Sequence, residues 1–238
     1  MKKTFLSVAL VMFAFYLSAQ TRAGITGGYN LSSPYSYGGK MIGNDVPAPD
    51  WGIKSGFQGG LSLEFPLSDR LYLQPSLFFA SHGFKDRYEM TGSKKTAQRV
   101  FSFYSLQVPV NVQYKLDVGI PEIVFQVAPF IRYNLFGRQR YFIENVSKTL
   151  EDEYKKLKFG NNKETDNIQP AFQYGVGAGV GIQVSRLLLM AGYNFGLSEL
   201  SLRKQASGRN YDVRLKTGDI FVNLTIYFGK YPPLFPEE

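Results

Sequence analysis

From Gly24 onward the chain alternates. Apolar residues take every second position, and small or polar residues fill the positions between. A period of two marks strands with one face against an apolar surrounding. Eight such runs follow one another. The first is short, Gly24 to Leu31. The second, GFQGGLSLEF, sets Phe57, Leu61, Leu63 and Phe65 against Gln58, Gly60, Ser62 and Glu64. The third, LYLQPSLFFA, sets Leu71, Leu73, Pro75, Leu77 and Phe79 against Tyr72, Gln74, Ser76, Phe78 and Ala80. In the fourth, LQVPVNVQYKL, the apolar line is Leu106, Val108, Val110, Val112 and Tyr114, opposite Gln107, Pro109, Asn111, Gln113 and Lys115. The fifth, IVFQVAPFIRYNLF, turns Phe125, Val127, Ile131, Tyr133 and Leu135 away from Gln126, Ala128, Arg132 and Asn134. FQYGVGAGVGIQV is the sixth, LLLMAGYNFGL the seventh and DIFVNLTIYFG the eighth.

Each run is about as long as a tilted strand needs to cross a bilayer, roughly 9–11 residues. The connections are sorted by length. Those at 66–70, 117–121 and 185–186 are short; those at 32–52, 82–99, 137–168 and 199–215 are long. A soluble sandwich also alternates, but nothing in it sorts every other connection. The expected fold is therefore all-β: an eight-stranded antiparallel up-and-down transmembrane β-barrel with short periplasmic turns and long extracellular loops.

The sixth run removes the side chains from one face, with Gly175, Gly177, Gly179 and Gly181 in strict alternation. A nucleotide-binding G-x-G-x-x-G would need glycine where Val180 stands, so that motif fails. Eight strands leave an interior just wide enough for side chains to fill. Tyr72, Phe78, Phe130, Arg132, Phe221 and Tyr227 are large and inward by parity, and the glycine line makes room for them. A lumenal ligand cavity is the rival reading of the same line. Trp51, Phe65, Tyr114, Phe136, Tyr141 and Tyr193 lie near run ends and suit interfacial girdles. Trp51 serves equally well as a loop anchor.

The chain begins MKKTFLSVALVMFAFYLSAQ. Lys2 and Lys3, an apolar stretch from Phe5 to Leu17, and small residues before Gln20 read as a signal peptide over 1–19. The alternatives are a cut after Ala23 and a retained anchor. The barrel then spans 20–229 and a proline-rich periplasmic tail 230–238. No cysteine is present, so disulfides do not hold this exported chain together. The formal charge is +8, or +6 without Lys2 and Lys3. For an exported chain this favours outer membrane lipid and lipopolysaccharide as partners, not nucleic acid.

GITGGYNLS, LYLQPSLFF, LQVPVNVQYKL, FQYGVGAGVGIQV and the closing NLTIYFG together resemble the porin-family, PorT-like outer-membrane barrels. The resemblance covers most of Gly24 to Gly229. It implies an outer-membrane location and a non-enzymatic barrel without a cofactor. PorT itself belongs to type IX protein secretion, so envelope or secretion-system proteins are implied partners. The tail KYPPLFPEE departs from the family's usual ending at the last strand.

The candidates for chemistry are few. His82 is the only histidine and stands beside Ser81. A lipid-hydrolysing barrel would want Ser, His and a carboxylate, but neighbours on a strand face opposite ways. His82 is thus expected to be a solvated loop residue, with no zinc site. Glu64, Lys115 and Arg132 face inward, so a Glu64–Lys115 or Glu64–Arg132 pair is expected to brace the lumen. A polar ion path is the sharper alternative. The loops at 82–99 and 199–216 are basic. Leu150, Tyr154 and Leu157 recur at helical spacing within SKTLEDEYKKLKFG, which predicts a short helix over the barrel mouth. Three functions compete: an accessory component, a small porin, and a lipid-modifying barrel enzyme.

Overall fold

A computed structural model describes residues 21–38, 50–89, 96–143, 155–160, 168–169, 171–206 and 209–229. Its strands in chain order are β1 (Arg22–Gly38), β2 (Asp50–Gly52), β3 (Lys54–Pro66), β4 (Leu71–Glu89), β5 (Thr96–Leu116) and β6 (Glu122–Ile143). There follow β7 (Lys155–Leu157), β8 (Ile168–Gln169), β9 (Phe172–Val184), β10 (Leu187–Gly196), β11 (Leu200–Ala206) and β12 (Arg209–Phe228).

Eight of them form a ring in the order β1-β3-β4-β5-β6-β9-β10-β12. It closes by antiparallel pairing of β1 with β12, from Ala23 opposite Phe228 to Gly38 opposite Arg214. Closure leaves the ring no open edge, the one way a sheet can satisfy its backbone in lipid. All eight runs reappear as ring strands. One end carries the short connections. Val184 pairs with Leu187, so Ser185 and Arg186 alone make the third turn, and Ser185 takes the positive φ of 53° that so tight a turn uses.

The burial pattern is inside-out. Phe57, Leu61, Val127 and Tyr133 on the outer face are more than half exposed, at 52%, 62%, 54% and 52%. Arg22, Glu64, Gln113 and Gln183 on the inner face are almost completely buried. Lipid outside and a polar filling inside account for both faces.

At the other end the wall extends beyond the ring's apolar belt. β2 pairs with β4, β7 with β6, β11 with β12, and β8 with β11. Several expectations are corrected here. The first run is not short, because β1 has 17 residues. Residues 82–89 and 96–99 are strand, not loop, and β4 pairs with β5 up to Glu89 opposite Thr96. Much of 199–215 is likewise the β11–β12 hairpin. The expected helix is overturned where it can be seen: Lys155–Leu157 is a strand against Gly137–Gln139. Residues 144–154 lie outside the described residues, as do the signal segment 1–19 and the tail 230–238.

Candidate functional site

The inner face of the ring is stacked in tiers. At the short-turn end Glu64 is the centre. It accepts hydrogen bonds from Arg22 Nε at 3.0 Å and from Lys115 Nζ at 2.8 Å, and a second guanidinium nitrogen of Arg22 also reaches it. Lys115 lies 3.9 Å from the Tyr72 ring centroid, and the Arg22 guanidinium 4.4 Å from that of Tyr227. Both rings present their negative faces to the cations. Glu122, also buried, lies at the same end, so two cations and two carboxylates balance.

The middle tier is hydroxyl and amide. Thr26 Oγ1 meets Ser62 Oγ at 3.1 Å and Thr225 Oγ1 at 2.8 Å, and Ser76 donates to Ser62 at 2.9 Å. Gln58 donates to Asn223 at 2.6 Å, and Gln113 donates to Gln126 at 3.1 Å. The open space left among these residues is about 30 Å³. That volume accepts a water or two, since one water needs about 10–15 Å³. A ligand cavity, the rival reading of the glycine line, finds no room there.

Above this, Arg132 donates to Gln107 Oε1 from Nε at 2.9 Å and from Nη2 at 2.7 Å, and to Asp219 Oδ1 at 3.1 Å. Asn194 donates to the other Asp219 oxygen at 2.7 Å. The expected inward charges are thus not one cluster. Glu64 and Lys115 meet; Arg132 does not reach Glu64. Arg132 is level with Gln107, and Lys115 lies eight positions further along β5. At about 3.3 Å per residue that is about 26 Å of strand. Sequence reasoning missed Arg22 and Asp219, although both stand on the inward parity of their strands.

The glycine line works as steric clearance. A Cβ on Gly175 would overlap the Phe130 ring, and one on Gly177 would overlap Asn194 Oδ1. A Cβ on Gly179 would stand 2.8 Å from the Ala191 carbonyl oxygen and 3.3 Å from Met190 Sδ. At Gly181 it would meet Met190 and the Leu189 carbonyl. Phe130 uses the space at Gly175, Asn194 that at Gly177, and Met190 that at Gly179 and Gly181.

The long-hairpin end is capped by apolar side chains. Phe84, Phe101, Phe103, Leu157, Leu200 and Leu215 form a buried cluster, with Trp51 and Phe159 packed on it. Trp51 stands edge-on to Phe84 at 5.1 Å. It is therefore a hairpin anchor and not part of a girdle. Tyr104 does belong to a girdle on the outer face, stacked on Phe136 at 4.8 Å. The side chain of Tyr141 lies outside the described ones. His82 is 1% exposed, which overturns the solvated-loop expectation. Its Nδ1 is 3.4 Å from Ser105 Oγ, not from its neighbour Ser81. The pair is buried beside Phe103, whose ring lies 5.6 Å from the imidazole.

A closed, lipid-faced ring of eight strands with short turns at one end defines a small outer-membrane barrel. Residues 15–201 match the outer membrane protein beta-barrel domain family. The chain belongs to that family and is an outer-membrane protein. The end with the short turns is accordingly periplasmic, and the hairpin end extracellular. Among solved structures, the outer membrane protein OprG from Pseudomonas aeruginosa is similar at 12% identity and a TM-score of 0.50, over 89% of this chain and 97% of that one. Neisserial surface protein A is 14% identical over 87% of this chain and 97% of its own, with a TM-score of 0.40. Ail of Yersinia pestis is 13% identical over 88% and 99%, with a TM-score of 0.36. No curated protein matches the chain in sequence.

Proposed function

We propose that this barrel is a non-enzymatic accessory or interaction component of the outer membrane, acting through its extracellular hairpins on envelope proteins. The observation that carries the reading is the filled lumen. An ion tier, a hydroxyl and amide tier and an apolar cap succeed one another, and the space left in the hydroxyl and amide tier is about 30 Å³. A solute crossing would have to displace hydrogen-bonded side chains in the polar tiers and packed ones in the cap. The hairpins, by contrast, are ordered by long pairing, with β4 and β5 matched from Leu71–Tyr114 to Glu89–Thr96. Such rigid projections suit contact with other proteins. The PorT-like resemblance supports a link to type IX secretion, with secretion-system proteins as the partners.

The test is paired. Single-channel conductance is measured on the purified barrel, and the secreted and surface proteome on a chromosomal deletion strain. The proposal expects no steady conductance and an altered proteome, with lipid A structure unchanged. A steady ion-selective conductance with an unaltered proteome would overturn it in favour of a small porin. A changed lipid A would point to the lipid-modifying reading instead.

A further inference from the structure

The outer face of the extracellular wall carries a concavity of its own. It lies across β4, β5 and β6 and has a volume of about 490 Å³. Lys85, Gln98, Ser102, Tyr104, Arg138 and Arg140 are among the residues lining it. Strand register brings them together: Lys85 is opposite Val100, which is opposite Arg140, and Ser102 is opposite Arg138. No carboxylate is among the described lining residues. Asp86, next to Lys85, points to the inner face and is held by Arg99.

Its height is fixed by the girdle. Tyr104 stacks between Phe79 at 6.1 Å and Phe136 at 4.8 Å, and Leu106 and Val108 continue below into the apolar belt. At about 3.3 Å per residue, Ser102 and Arg138 stand about 7 Å along the strand above that stack. Lys85 and Arg140 stand about 13 Å above it. These are headgroup depths, where a cation gains most from an anionic lipid.

We infer that this shelf binds the phosphates of an outer-leaflet phosphorylated glycolipid of the lipid A type. Lys85 and Arg138 take phosphate oxygens. Gln98 and Ser102 meet the sugar, and the acyl chains lie along Leu106 and Val108 below Tyr104. The volume and the two cation rows suit a headgroup with more than one phosphate. A free phosphate would make no use of the girdle and belt beneath. The inference does not depend on the accessory role, and either can fail alone.

Native mass spectrometry of the folded barrel tests it, with bisphosphoryl lipid A, dephosphorylated lipid A and phosphatidylglycerol as probes. Each lost cation should weaken bisphosphoryl lipid A binding about fivefold, so Lys85→Ala/Arg138→Ala should weaken it about 25-fold. Arg214→Ala, removing an exposed cation on β12, should leave binding unchanged. Heat-modifiability on gels confirms that each variant is folded. Unchanged binding in the double variant, or equal binding of dephosphorylated lipid A, overturns the site. Phosphatidylglycerol binding as tightly, with the same sensitivity to the variants, overturns the glycolipid assignment. So does displacement by millimolar inorganic phosphate.

Discussion

The two ends of the lumen are closed by opposite chemistry. At the periplasmic end Arg22, Glu64 and Lys115 meet under Tyr72 and Tyr227. At the extracellular end Phe84, Phe101 and Phe103 pack with leucines from β7, β11 and β12. The difference follows from what each end has to build with. Below the periplasmic turns no further strand exists among the described residues, so closure must come from ring side chains reaching across. Long charged and phenolic groups do that. Above the belt, extra strands bring in Leu157 and Leu200, and apolar groups suffice. A buried ion cluster gives geometry more than net stability, because desolvation offsets much of the attraction. An apolar cap gives stability with less directional constraint.

The largest effect should come from the ion end. Glu64→Ala removes the carboxylate that both Arg22 and Lys115 bond, and the barrel should lose about 3–5 kcal/mol. The denaturant midpoint in detergent measures this; a loss below about 1 kcal/mol would mean that water already enters the tier. Phe84→Ala at the cap should cost about 3 kcal/mol. That loss should be concentrated in the hairpins, so protease cleavage on intact cells should rise more than the global midpoint falls. An equal change in both would show cap and ring to be one cooperative unit. Gly177→Leu overpacks the wall between the ends and should cost about 1–3 kcal/mol. Val176→Leu on the lipid face should be nearly silent, and equal midpoints would reveal spare lumenal volume. Smallest is Arg214→Ala. Its pair with Glu199 at 3.8 Å is 62% and 52% exposed, and it should contribute under about 0.5 kcal/mol. A larger loss would mean that the hairpin surface is covered.

The ion end also bears on maturation. A cut after Ala23 would remove Arg22 and one of the two cations on Glu64. The mature chain should begin at Gln20, and N-terminal sequencing of the membrane-fraction protein decides it.

The ring strands were legible because lipid on one side enforces the alternation. Leu61 cannot trade places with Ser62. Beyond the belt that enforcement ends. In SHGFKDRYE the inward parity persists at His82, Phe84 and Asp86, but Lys85 and Arg87 on the other face make the stretch resemble a solvated loop. Tertiary pairing with β5 overrides that appearance. The three lysines around Leu157 misled in the same way, since an apolar spacing suited to a helix proved to be one cap residue on a strand. The Glu64–Lys115 contact was readable from parity. Arg22 was masked by its closeness to a cleavage site, and Asp219 by standing at the first position of its run. No local pattern records that Arg132 and Asp219 share a tier, because ring closure and register bring them together.

The seam between β1 and β12 joins Ala23 to Phe228, residues about 200 apart in the chain. Bringing such ends together costs about 3.5 kcal/mol more in chain entropy than closing a four-residue turn. Local hairpins such as Val184 to Leu187 therefore form early, and the seam forms last. Until β12 arrives, the sheet has two unpaired edges. A chain stopped at residue 201 would hold all of the family's matched segment yet have no last strand to complete its ring. A barrel without that strand keeps two open edges, which are templates for pairing and aggregation until the seam closes.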